Sequence, residues 1–279
     1  MVLPGSRGAG VMNGYVHGYG GREAERLEDQ ARTLEALLHG DTGFPEDASV
    51  LEVGCGTGAQ TVALARRSPG ARITAIDVSD VSLAEAEKRI ADEGIGNVRL
   101  MRADLHALPF PPGTFDHVFV CFVLEHLVDP AGALATLRPL LRRGGTITVI
   151  EGDHGSVLFN PESAAARAAS ACQVELQRRA GGVALIGRRL HPLLAAAGFA
   201  EVRVSPRMVY ADATRPALVE GFTRRTFTAM IAGVRERAVE AGLATPEHFD
   251  EGLSALSRTA EGPEGVFCYT FFKVVALRG

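Results

Sequence analysis

Between Ser49 and Ile150 short apolar runs alternate with amphipathic stretches, and this rhythm restricts the fold more than any other feature of the chain. Strand-like Ser49-Val-Leu-Glu-Val53 precedes a helical pattern at Gln60 to Arg67, and Arg72-Ile-Thr-Ala-Ile76 precedes a second at Ser82 to Glu93, with Ser82 as the expected N-cap. Runs Val98 to Met101 and His117 to Phe122, a helix around Gly132 to Arg142 and a run Thr146 to Ile150 continue the series. Several of the strands are almost wholly apolar, as strands are when a parallel sheet is covered by helices on both faces. Pro139 should break or restart the helix it falls in.

Upstream, Leu27, Ala31, Leu34 and Leu38 mark an amphipathic helix over Glu23 to Leu38. Downstream of Ile150 the rhythm changes. Asn160-Pro161-Glu162 reads as the opening of an Ala-rich helix reaching about Ala180, Arg189 to Ala197 as a helix stopped by Gly198, and Glu201 to Ser205 as a strand. Helices are also expected over Arg215 to Ala241 and from Thr245-Pro246-Glu247, before a final strand over Gly265 to Leu277. The chain therefore divides into an N-terminal segment and helix (1–40), an alternating α/β core (41–156), and a remainder (157–279). That remainder completes the core and adds a helical lid at about 157–197 and 212–262.

Composition narrows the function. With 29 basic and 33 acidic side chains, a net charge of −4 and no Lys/Arg-dense run, the chain offers no electrostatic case for nucleic acid or an anionic membrane. The longest apolar run, Val118 to Leu124, is far too short to span a bilayer, and the N-terminus has no apolar signal core. Four cysteines, Cys55, Cys121, Cys172 and Cys268, lie far apart without metal-ligand spacing, so no metal and a cytoplasmic setting are expected.

The strongest chemical signal is Glu52-Val53-Gly54-Cys55-Gly56-Thr57-Gly58, directly after a strand and before a helix. Glycines there let the chain bend sharply and let a ligand approach the backbone. Asp77 follows the next strand about twenty residues on, where a carboxylate can accept the hydroxyls of a ribose. Gly54-x-Gly56-x-x-Ala59 also fits a relaxed dinucleotide fingerprint, but Glu52 would oppose a pyrophosphate; a cofactor with a positive centre and an amino group suits it better.

These residues, with Ala103-Asp104-Leu105, Leu108-Pro-Phe-Pro111, Phe115-Asp116, Val123-Leu-Glu-His-Leu127, Asp129-Pro130 and Arg143-Gly-Gly145, resemble class I S-adenosylmethionine-dependent methyltransferases, particularly those acting on small molecules. The resemblance spans roughly Val50 to Gly152. It implies a Rossmann-like α/β fold with a seven-stranded, mostly parallel sheet whose last strand is antiparallel. It also implies S-adenosyl-L-methionine as cofactor, with the glycine loop (Glu52, Gly54, Cys55, Gly56, Gly58) at the methionine part and Asp77 on the ribose. Asp104 would accept from the adenine amino group, with Val78 or Leu105 against the ring, and Ala103, Cys121 and His126 complete the expected cofactor contacts.

Substrate residues fall outside the shared motifs. Tyr15, His17 and Tyr19, flanked by glycines, are placed to fold over the site, Tyr15 and His17 toward the substrate and Tyr19 toward the cofactor. In Glu151-Gly-Asp-His-Gly-Ser156, directly after the fifth strand, His154 is the expected general base and Glu151 or Asp153 its orienting acid. Phe222, Phe227, Met230 and Tyr210 would roof an apolar pocket, Phe222 against the substrate, while Arg167, Arg178, Arg179, Arg188 and Arg189 read as helix-surface charges. The expected activity is methylation of a small aromatic or heterocyclic metabolite at carbon, nitrogen or oxygen, an indole for instance. A homodimer is the assembly to test. A macromolecular methyltransferase is the alternative, although Cys121-Phe122-Val123-Leu124 stands where base-modifying enzymes carry an Asn/Asp-Pro-Pro-Tyr tetrad. A cofactor-binding relative that catalyses a different reaction is another.

Overall fold

The structure is a computed structural model and describes residues 21–279, so Tyr15, His17 and Tyr19 lie outside the described residues. Seven strands form one sheet: β1 (Ser49–Val53), β2 (Arg72–Asp77), β3 (Val98–Arg102), β4 (Phe115–Cys121), β5 (Leu141–Asn160), β6 (Ala200–Asp212) and β7 (Val266–Leu277). Their order is β3-β2-β1-β4-β5-β7-β6, parallel except for β7, which runs antiparallel to both β5 and β6. The seven-stranded, mostly parallel α/β sheet that the resemblance implies is what forms.

Helices α1 (Gly21–His39), α2 (Ala59–Arg67), α3 (Asp80–Asp92), α4 (Pro130–Leu137), α5 (Ala164–Arg179) and α6 (Leu190–Ala196) alternate with the strands. Between β6 and β7 lie α7 (Pro216–Leu218), a wide π-helical stretch Val219–Thr228, α8 (Ala229–Gly233), α9 (Arg235–Glu240) and α10 (Pro246–Glu261). Leu51, Val118, Phe119, Val120, Ile147, Val149 and Ile150 are fully buried, and two apolar layers form, one on each face of the sheet. One layer holds Leu34, Leu38, Phe222, Phe249 and Phe267; the other holds Leu134, Leu137, Ile186 and Leu190. No helix among the described residues is long and apolar enough to cross a membrane.

Four sequence expectations need correction. Ser79, not Ser82, caps α3: its Oγ accepts from the Ser82 N–H at 3.2 Å. Asn160 ends β5 and gives its side-chain amide to the Glu264 carbonyl, whereas Ser163 caps α5 by accepting from the Ala166 N–H. The helix expected over Arg215 to Ala241 is broken into pieces, because the Thr226 and Thr228 hydroxyls bond carbonyls five residues back, at Gly221 and Thr223, widening the coil. Finally, the segment after Ile150 lies within the fifth strand rather than following it. It continues β5 to Asn160, held by the β7 ladder with an irregularity between Asp153 and Leu158. Pro139 does restart the chain as expected: α4 ends at Leu137 and a single 3₁₀ turn follows over Arg138–Leu140.

Candidate active site

Parallel register brings the carboxyl ends of β1, β2, β3 and β4 to one edge, pairing Val53 with Ile76 and Val120, and Asp77 with Arg102. The expected cofactor residues of the glycine loop, Asp77-Val78, Ala103-Asp104-Leu105 and Cys121 all follow or end these strands, so the fold gathers them along that edge.

The glycine loop is stitched to β2. Gly54 and Cys55 donate their N–H groups to the Ile76 carbonyl at 2.8 and 3.0 Å, and the Gly56 N–H donates to Asp77 Oδ2 at 2.9 Å. The other Asp77 oxygen accepts from the Ser79 N–H at 2.9 Å. Gly54 and Gly56 have φ of 69° and 53°, in the left-handed region. A Cβ on Gly54 would meet Val123 Cγ2 at 2.5 Å, whereas one on Gly56 would meet nothing within 4 Å. Gly54 is therefore required by packing, and Gly56 faces open space.

Beneath this loop Glu52 is 2% exposed, and its Oε2 has no hydrogen-bond partner. Burial pushes its carboxyl up to about 7, the neighbouring Asp77 charge adds to the rise, and the Thr61 hydroxyl opposes it. Burial and the Glu52 and Asp77 carboxylates likewise push the Cys55 thiol up, so it stays an inert thiol. Asp104 is exposed and caps the 3₁₀ turn Leu105–Ala107 by accepting from the His106 N–H at 2.9 Å; Leu105 is buried and Val78 is 37% exposed.

A second cluster sits where β4, β5 and β7 meet. Glu151 is wholly buried; its Oε1 accepts the N–H groups of Val123 and Leu124 at 3.0 and 2.7 Å, and its Oε2 has no partner. Burial, then the charge of Glu125, raise the Glu151 carboxyl well above the usual range. Phe122, at φ 58°, makes the turn that aims those two N–H groups at Glu151. Asp153, 1% exposed, is held by the Arg188 guanidinium through Nε at 2.5 Å and Nη2 at 2.7 Å, and by the Gly155 N–H. Neither acid orients His154, contrary to the sequence expectation. Along β5, Glu151 and Asp153 pair with Phe272 and Thr270, while Gly152 pairs with Phe271, so the two acids lie on the face opposite Gly152.

His154 is oriented by residues the sequence reading passed over. Its Nε2 lies 3.3 Å from Glu125 Oε2 and its Nδ1 3.3 Å from the Tyr269 hydroxyl. The Gln177 amide also donates to Glu125 Oε2 at 3.2 Å, and His126 Nε2 lies 3.7 Å from Oε1. Burial alone would raise the Glu125 carboxyl, but His126, His154 and Gln177 outweigh it and hold it below the ordinary carboxylate range. His126 thus sits beside Glu125, at the edge where a cofactor contact was expected. The signals were present: Glu125 lies in an otherwise apolar run, and Phe267, Tyr269 and Phe271 alternate on one face of a strand with a single hydroxyl among them. Arg188, read as surface, is the partner of a buried acid.

Phe222 is 2% exposed and packs on Phe267, Tyr269 and Phe271 with ring centroids 6.0, 5.6 and 5.7 Å away. It backs an aromatic wall that continues through Phe271 to Phe122, 5.5 Å further on. Among the described residues no cluster of three His, Cys, Asp or Glu is arranged to hold a metal ion.

Known proteins resemble this chain in sequence and in fold. Residues 50–145 match the family described as a methyltransferase domain. A 37.1 kDa protein of transposon TN4556 from Streptomyces fradiae is 34% identical over 74% of this chain and 59% of its own length. The ubiquinone/menaquinone biosynthesis C-methyltransferase UbiE of Marinomonas sp. is 39% identical over 37% of this chain and 41% of its own. The chain thus spans 59% and 41% of the length of these two curated relatives, less than two thirds of either. Among solved structures, the [4+2]-cyclase SpnF superposes with a TM-score of 0.55 at 20% identity, over 90% of this chain and 81% of that one. Phosphoethanolamine N-methyltransferase 2 of Haemonchus contortus, in complex with S-adenosyl-L-methionine, gives 0.52 at 16% identity, over 91% and 52%. Both likenesses concern the fold.

Proposed function

The chain belongs to the class I S-adenosylmethionine-dependent methyltransferases, and from that premise we propose that it methylates a small aromatic or heterocyclic metabolite. The observation that carries the cofactor assignment is Glu52, a buried carboxyl with an unpartnered oxygen beneath a glycine loop that is open at Gly56. An ammonium group would complete that oxygen and restore its charge; a pyrophosphate would be repelled by it. When bound, the cofactor supplies an activated methyl group on a sulfonium.

The chain's residues do the rest. Asp77, already fixed by two backbone N–H groups, would hold the ribose, and Asp104 would accept from the adenine amino group, with Val78 and Leu105 packing on the ring. Cys121 and His126 would border the methyl-bearing end. The helices between β5 and β6 and between β6 and β7 would form the roof, above an aromatic wall of Tyr269 and Phe271 on β7 and Phe122, with Phe222 behind them. Alignment and exclusion of water supply much of the rate, since the methyl donor is already activated. A carbon, nitrogen or oxygen acceptor on a flat ring, such as an indole or a phenol, suits this wall.

Incubating the protein with methyl-labelled S-adenosylmethionine and a fractionated small-molecule extract tests the reading. Label in a small aromatic product supports it. Label in protein or RNA would transfer the activity to a macromolecule, and label left on tightly bound cofactor while the extract is altered would make the protein a different kind of catalyst.

A further inference from the structure

The row formed by Tyr269, His154 and Glu125 has a direction. Glu125 is held as a carboxylate and can only accept, so His154 Nε2 must carry the proton that points at it. Nδ1 of the neutral ring is then an acceptor, and the Tyr269 hydroxyl is the donor that faces it at 3.3 Å. Both contacts are long, as hydrogen bonds of this kind are before the reacting complex forms. Space for the hydroxyl is provided by Gly152: a Cβ there would stand 2.3 Å from the Tyr269 oxygen. The ring around that hydroxyl is apolar, with Phe271 at 4.7 Å and Phe222 at 5.6 Å.

We propose that Tyr269, His154 and Glu125 form a proton relay that deprotonates the acceptor during methyl transfer, so the substrate is a flat molecule whose acceptor atom bears an ionisable hydrogen: a phenol, an enol or an acidic carbon. The inference rests on the methyltransferase reading and adds the chemical class of the substrate. As the methyl group leaves the sulfonium and bonds to the acceptor, the acceptor's hydrogen passes as a proton to the Tyr269 oxygen. Tyr269's own proton passes to His154 Nδ1, and the resulting imidazolium lies against the Glu125 carboxylate. The neutral thioether and the methylated product leave, and the imidazolium returns its proton to water. Charge and atoms balance without any further reactant. Tyr269 is the group that meets the acceptor; His154 and Glu125 act through it.

The other ionisable groups near His154 leave this direction intact. His126 and the Gln177 amide lie on Glu125, the Glu151 carboxyl, raised by burial, is on the opposite face of β5 with its Oε1 on the Val123 and Leu124 N–H groups, and Asp153 is paired with Arg188. A free-pair amine would need no such relay, because its nitrogen attacks without first losing a proton.

Two measurements test the relay in the full chain. In the first, imidazole ¹⁵N shifts of His154 are recorded with S-adenosylhomocysteine bound. A protonated Nε2 and bare Nδ1 in the wild type, with the two tautomers mixed in Glu125→Gln, are expected. A protonated Nδ1 in the wild type, or an unchanged tautomer in Glu125→Gln, would overturn the proposal. In the second, transfer of labelled methyl to 1-naphthol, 4-hydroxycoumarin and 1-naphthylamine is compared. Tyr269→Phe and His154→Asn should each slow transfer to the first two by about 10²–10⁴-fold, while S-adenosylhomocysteine affinity stays at the wild-type level. Transfer favouring the amine, or equal losses on all three probes, would reduce the cluster to a structural role. Label remaining on the cofactor with every probe would overturn the functional reading itself, and the relay with it.

Discussion

Replacing Glu52 by Gln separates stability from cofactor binding at a single buried atom. The carboxyl sits at about 7 in the folded chain against an ordinary 4.5, because it is buried beside Asp77. Between those two values the folded protein holds a proton that the unfolded chain has already lost, so stability falls as pH rises across the window and is flat above it. The shift corresponds to about 3 kcal/mol of native-state cost at pH 8, with no cofactor bound. Gln keeps the shape of the side chain and removes the ionisation. Thermal unfolding should therefore show E52Q more stable than the wild type at pH 8 by on the order of 5–10 °C, with the gap closing near pH 4.5. Other buried carboxyls titrate in both proteins and cancel in the difference. In the proposed site the same substitution removes the anion that would meet the cofactor's ammonium, so calorimetric affinity for S-adenosylhomocysteine should drop about 10–100-fold. Wild-type affinity should itself weaken as pH falls below about 7, because the Glu52 carboxyl is then protonated. Parallel stability curves for the two proteins between pH 5 and 8, or an E52Q that melts lower at pH 8, would refute the argument.

Three further outcomes follow from the site. Asp77→Ala should lower S-adenosylhomocysteine affinity by about 1.5–3 kcal/mol in calorimetry and, since two backbone N–H groups lose their acceptor, also lower the melting temperature. Gly54→Ala should destabilise the fold by about 1–3 kcal/mol through contact with Val123, whereas Gly56→Val, strained only by its φ, should retain most of the fold and lose cofactor binding; chemical denaturation and calorimetry separate the two. Arg188→Ala should cost about 1–3 kcal/mol in chemical denaturation, since it leaves the buried Asp153 carboxylate with backbone N–H donors alone, and should leave cofactor affinity unchanged.

The parallel core was legible because several of its strands are almost wholly apolar and the turn after β1 carries glycines; both signals are local. The length of β5 was not. Glu151 to Ser156 read as a polar segment following the strand, and only the ladder to β7, more than a hundred residues away, carries the strand through Gly152 and Asp153 and on to Asn160. The same distance hid the partners of His154: Glu125 comes from the turn after β4, Gln177 from α5 and Tyr269 from β7. Proximity in sequence favoured Glu151 and Asp153, but alternation along an extended strand turns both to the opposite face. The helix caps failed for a smaller reason. Ser79 and Ser163 are as good as the residues chosen, and one or two positions in the chain decide which serves.

β7 follows every other strand in the sequence, yet it lies between β5 and β6. During synthesis on the ribosome, β1 to β5 emerge as neighbours that can pair at once, but β6 appears with no strand beside it and must wait through five helical pieces for β7. Until then β5 presents an open edge from Thr146 to Asn160, the stretch that later pairs with β7. Closing the sheet requires contacts between distant parts of the chain, which makes that last step slow relative to the local helices. Nascent chains halted before Val266 should accordingly be captured by chaperones that bind exposed strand edges, and the Tyr269 hydroxyl reaches His154 only when this final insertion is complete.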